Sequence, residues 1–170
     1  MRTATLAGVA LAVVLGGCDE QLSDEDVTDL PAGDALGDAF AGDYTMELTT
    51  LSCDGVCAPI QVSELVRLSV CDVGARQSGT ARVSQGDGRL QLDIRGALQA
   101  SRLIGGVDTD GIFDVGGVAT AASQARTFRS RVEGTLDANG GTGVMHTSSL
   151  GRSELRELQC EARHELSLWR

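Results

Sequence analysis

Apolar and polar side chains alternate along several stretches of the chain. Leu90, Leu92 and Ile94 fall on one side of an extended segment, with Arg89, Gln91, Asp93 and Arg95 on the other. Phe128, Val132 and Leu136 are opposed in the same way to Arg129, Arg131, Glu133 and Asp137. A period of two places one face of a strand in a core and the other in water, the pattern of an antiparallel sheet covered on one side. Shorter runs predict further strands near residues 44–51, 66–70, 80–84, 98–107, 112–119 and 143–149. Turn-forming stretches separate them: Gly86-Asp87-Gly88, Asp108-Thr109-Asp110-Gly111 and Asp137-Ala138-Asn139-Gly140-Gly141.

The tail has a helix-forming composition, and Leu155, Leu158, Ala162, Leu166 and Trp169 lie roughly on one helical stripe. Yet Leu158, Cys160, Ala162, His164, Leu166 and Leu168 alternate cleanly with Glu157, Gln159, Glu161, Arg163, Glu165 and Ser167, and the spacing predicts one long strand. The fold class is therefore all-β: an antiparallel meander of about eight strands, closed or nearly closed into a barrel that hides its edges, with a β-sandwich as the alternative. Closure would make the first and last strands neighbours and bring Cys53 or Cys57 within reach of Cys160.

Residues 3–17 are apolar and uncharged behind a single base, Arg2. A run of fifteen residues is short of the ~20 that cross a bilayer and suits the apolar core of a signal peptide. It ends in Leu15-Gly16-Gly17-Cys18, which resembles the lipobox of bacterial lipoproteins. The resemblance implies that residues 1–17 are removed, that the Cys18 thiol carries diacylglycerol and that its new amino terminus is acylated. Several acyl chains on one residue make a durable anchor, each buried methylene contributing ~0.8 kcal/mol. Asp19 resembles the enterobacterial signal for retention in the inner membrane. Other lineages do not follow that rule, so inner and outer membrane both stay open.

Charge refines this organisation. Residues 19–64 hold twelve acids and no base, whereas residues 67–170 hold twelve acids and thirteen arginines, so the net charge of −10 belongs to the N-terminal part. A near-neutral body lacks the basic field that holds phosphate backbones, which argues against nucleic acid as a partner. Residues 18–40 read as the lipidated cysteine followed by an acidic, solvated, flexible tether, and residues 41–170 as the folded domain.

With Cys18 committed to lipid, Cys53, Cys57, Cys71 and Cys160 remain, an even number in an exported chain, and predict two disulfides whose pairing the sequence leaves open. Their spacing fits neither a zinc site nor a C-x-x-C redox motif. His146 and His164 are too few to hold a metal on their own, and His164 falls on the apolar face of its strand. Asp108, Asp110 and Asp114 around Gly111 suit a hairpin turn better than a calcium loop. Arg126, Arg129 and Arg131 read as a mixed-charge polar face. Gly151-Arg152-Ser153-Glu154-Leu155 fails the nucleophile-elbow pattern, and the chain carries no phosphate-binding loop and no H-E-x-x-H.

Gly42-Asp43-Tyr44, at the head of the first predicted strand, resembles the G-x-W motif of lipocalins with Tyr in place of Trp. That resemblance implies a barrel whose mouth holds a small apolar ligand, with Leu92, Val132 and Leu166 among the residues facing it. The leading expectation is a non-catalytic, cofactor-free interaction module of the bacterial envelope, held on the bilayer through acylated Cys18, facing periplasm or cell exterior and binding an envelope protein or polymer. A lipocalin-like carrier is the alternative.

Overall fold

The computed structural model describes residues 21–61, 67–69, 71–96, 102–121, 126–152 and 157–170. Its strands, in chain order, are β1 (Gly42–Gly55), β2 (Ile60–Gln61), β3 (Arg67–Leu68), β4 (Arg76–Gly86), β5 (Arg89–Arg95), β6 (Arg102–Val107), β7 (Ile112–Ala121), β8 (Arg126–Leu136), β9 (Gly140–Arg152) and β10 (Glu157–Trp169). Eight of them close into an antiparallel barrel in the order β1, β10, β9, β8, β7, β6, β5, β4, which settles barrel over sandwich. Neighbours in the chain are neighbours in the wall from β4 to β10, and β1 fills the gap. It pairs with β10 from Thr45 opposite Trp169 to Gly55 opposite Cys160, the register shifting between Thr50 and Ser52. The tail is one long strand, as its alternation predicts.

The strand expected at 66–70 is not part of the wall. Its described portion includes β3, which pairs with β2 in a separate two-stranded ribbon between β1 and β4. The strand expected at 98–107 begins at Arg102 among the described residues, and residues 97–101 lie outside them.

Turn chemistry follows the sequence. Asp87 and Gly88 both have positive φ (51° and 73°) between paired Gly86 and Arg89, the backbone of a type I′ hairpin. The Asp137 carboxylate accepts from the amides of Asn139 and Gly140, fixing the turn into β9.

Inward positions fill the barrel with Tyr44, Met46, Leu48, Leu92, Leu103, Val115, Val132, Met145 and Leu166, all exposed by 2% or less. Aliphatic and methionine side chains pack an eight-stranded interior without large rings, which accounts for the scarcity of aromatics. One end is closed by the N-terminal segment, where Ala35 belongs to the apolar core, Phe40 packs against it, and the Tyr44 hydroxyl donates to the Phe40 carbonyl at 2.8 Å.

That segment departs from the solvated tether expected of residues 18–40. From Leu22 to Leu30 it is a strap bound to the outside of the barrel, with Leu22, Val27 and Leu30 buried and a short helix, α1 (Glu25–Thr28), lying on β7 and β8, before Ala35 turns into the core at the closed end. Arg129 on β8 donates to Asp24 at 2.6 Å, Arg89 to the Leu30 carbonyl at 2.8 Å, and Gly33 N–H to the Gly88 carbonyl at 2.9 Å. The strap rests on two bare patches of wall. A Cβ at outward-facing Gly116 would lie 2.5 Å from the Val27 carbonyl oxygen, and one at Gly106 would lie 2.5 Å from that of Pro31. Glycine weakens a strand, and here it admits a second backbone to the sheet surface.

Candidate functional site

Both predicted disulfides form. Cys53 bridges Cys71, and Cys57 bridges Cys160 across 103 positions of sequence. The first ties β1 to the chain entering β4. The second ties the loop after β1 to β10, the strand beside it, as barrel closure requires. Phe128 and Cys160 form a small apolar cluster at this end, with Cys57 and Cys71 against it.

Toward the same end the interior becomes polar. His164 sits in the row formed with Met145 and Thr50 and is fully buried. The Thr50 hydroxyl lies 3.1 Å from its Nδ1, while Nε2 has no hydrogen-bond partner among the described residues. The tautomer with the proton on Nδ1 leaves an unpaired acceptor instead of an unpaired N–H, the less costly arrangement. Burial, and secondarily the nearby His146, pull the His164 pKa from 6.5 down to about 4. Ser130 and Thr147 share a hydrogen bond of 3.3 Å in the next row, and Ser149 pairs with Phe128 and Cys160 in the row beyond.

Arg126 closes this end from the inside. Its position has the parity of Phe128, not of Arg129 and Arg131, so the three arginines do not share a face, which corrects the polar-face reading for Arg126. It is 3% exposed, donates from Nη1 to the Ala58 carbonyl at 2.7 Å, and places its guanidinium 5.9 Å from the Phe128 ring. Nε and Nη2 have no hydrogen-bond partner among the described residues, and desolvation lowers its pKa.

The two histidines occupy adjacent strands but opposite faces. Register puts His164 opposite Met145 and His146 opposite Arg163, so His146 points outward, where its Nε2 lies 2.9 Å from Glu161. Asp108, Asp110 and Asp114 do not converge: Asp108 accepts from the Asp34 amide, Asp110 from the Ile112 amide, and Asp114 holds Arg131 through two hydrogen bonds of 3.0 and 2.7 Å. Those bonds raise the Arg131 pKa. No group of three or more potential metal ligands occurs among the described residues.

A groove of about 740 Å³ lies on the wall formed by β4 and β5. Outward residues of four consecutive strands stand in one row there, Asp43, Arg82, Asp93 and Arg102, alternating in sign. Arg102 holds Asp93 at 2.8 Å and Gln91 donates to the same carboxylate at 2.7 Å, lowering the Asp93 pKa. Arg82 stands 3.9 Å from Asp43, and Arg95 and Thr80 complete the lining. Charges paired directly across strands reinforce the sheet and present donors and acceptors to a polar partner.

Leu92, Val132 and Leu166, expected to face a carried ligand, are exposed by 1% or less and belong to the packed apolar core. Gly42-Asp43-Tyr44 does open β1, with Tyr44 inside the barrel. Cys18 and Ser153 lie outside the described residues. Sequence reasoning missed the groove, whose row of charges depends on register, and the buried state of Arg126, which its parity with Phe128 could have revealed. No protein-family model matches the chain, and no curated protein is significantly similar to it.

Proposed function

We propose that the chain is an exported lipoprotein, anchored by acylated Cys18 in an envelope membrane, whose barrel serves as a non-catalytic module binding a protein or polymer partner. The observation that carries this reading is Leu15-Gly16-Gly17-Cys18 closing a run of signal-peptide length. Two disulfides support it, because such bridges persist in oxidising compartments. The charge-lined β4–β5 groove is the surface best suited to a polar partner, and the packed core favours surface recognition over carriage of a small apolar molecule.

The test is Cys18→Ala in the full chain. The variant should accumulate as an uncleaved precursor that incorporates no labelled fatty acid, while wild type is cleaved and labelled. Normal processing and labelling of the variant would overturn the assignment.

A further inference from the structure

If Cys18 carries the lipid, Leu22, the first buried residue of the strap, lies only four positions beyond the anchor. Four residues span at most about 14 Å when fully extended. The headgroup layer of each leaflet occupies about 5–7 Å, a comparable distance. A flexible tether running to residue 41 would instead have a root-mean-square span of about 25 Å and a reach of about 80 Å. Docking of the strap therefore removes most of the spacer that the sequence predicts.

From this geometry we infer that the barrel is held flush against the lipid headgroups by the side centred on β8, with the β4–β5 groove directed away from the membrane. The inference rests on the lipoprotein reading. The strap begins beside Arg129 on β8, where Asp24 is bonded, so the anchor is fixed to that side of the barrel. In a ring ordered β1, β10, β9, β8, β7, β6, β5, β4, strands β8 and β9 stand opposite β4 and β5. The arginines of β8 that face outward are paired with acids: Arg129 with Asp24, and Arg131 with Asp114 and Glu133. Glu25 and Asp26 of α1 add acid to this side, so lipid phosphates do not attract it; the short anchor holds it there, and added salt does not release it.

The experiment uses the full lipidated chain in vesicles of phosphatidylethanolamine and phosphatidylglycerol, its acylation first confirmed by intact mass. A photo-crosslinking phenylalanine analogue is placed at Val144, outward on β9 and 47% exposed, or at Arg82, outward on β4. Lipid adducts are expected at Val144 and not at Arg82. Inserting twenty Gly/Ser residues between Glu20 and Gln21 should reduce the Val144 yield about 15-fold, following the −3/2 power of tether length. If mass shows no acylation, the lipoprotein reading fails and takes the inference with it. If the chain is acylated but Val144 forms no adduct, or forms it equally with the long insert, apposition by the short anchor is refuted while the lipoprotein reading stands. Equal adducts at Val144 and Arg82 refute the orientation.

Discussion

Acidification should destabilise the barrel through His164, and the size of the effect follows from its burial. The imidazole is neutral in the folded protein because desolvation disfavours its charged form, with a pKa of about 4 against 6.5 for a solvated histidine. Between those values the unfolded chain binds a proton that the folded chain refuses, so stability is complete above pH 6.5 and falls as pH drops through the window to 4. The whole window is worth about 3 kcal/mol, and about 2 kcal/mol of it is lost by pH 5. Urea denaturation at pH 7.5 and pH 5 measures this directly when wild type is compared with His164→Leu. The leucine variant loses the Thr50 contact at both pH values, and carboxylate titrations affect both proteins, so the difference between their pH responses isolates the imidazole. Wild type should lose about 2 kcal/mol more than the variant. An equal loss in the two proteins would refute the account of His164 as a desolvated neutral base.

Three further perturbations probe other parts of the structure. Cys160→Ser should cost about 4–5 kcal/mol on the chain-entropy model, because the bridge to Cys57 closes a loop of roughly a hundred residues, and calorimetry under non-reducing conditions reads it as a lowered midpoint. Arg126→Met replaces an incompletely bonded buried charge by an apolar chain of similar length and should be neutral or stabilising by up to about 4 kcal/mol in urea titration; a clear loss would mean that the guanidinium is well compensated in the fold. Gly116→Val should lift α1 from the wall and forfeit about 1.5–3 kcal/mol of Val27 burial, seen as roughly 10- to 100-fold faster amide exchange over residues 24–30 with barrel amides unchanged.

Legibility varied with how local the determining physics is. β5, β8 and β10 could be read directly because each carries its own period-two pattern, and the closure of β1 on β10 followed from the cost of leaving sheet edges open. The strap was hidden because Leu22, Val27, Leu30 and Ala35 are spaced at neither a helical nor a strand period and lie among acids. Its trace was on the other side of the contact: Gly105-Gly106 and Gly116-Gly117 in mid-strand, where propensity disfavours glycine. The ribbon of β2 and β3 escaped because a short apolar run does not say which partner it will pair with. The buried face of His164 was legible from the alternation of β10, whereas β9 is too rich in glycine and small polar residues around His146 for its face to be read the same way. The groove needs the registers of β1, β4, β5 and β6 all at once, so no local pattern could disclose it.

The pairing of β1 with β10 also governs the order in which this chain can mature. Synthesis delivers β1 first and its long partner last, so β1 and β9 each wait with an unsatisfied edge until residues 157–169 emerge. Cys71 follows Cys53 by only 18 positions and can oxidise early, whereas Cys57 must remain a thiol until Cys160 arrives. A chain interrupted before β10 is thus an open sheet whose Cys57 lacks its partner, and not a slightly shorter barrel. That strand acts as a completeness check: only a polypeptide that carries it can close the barrel wall.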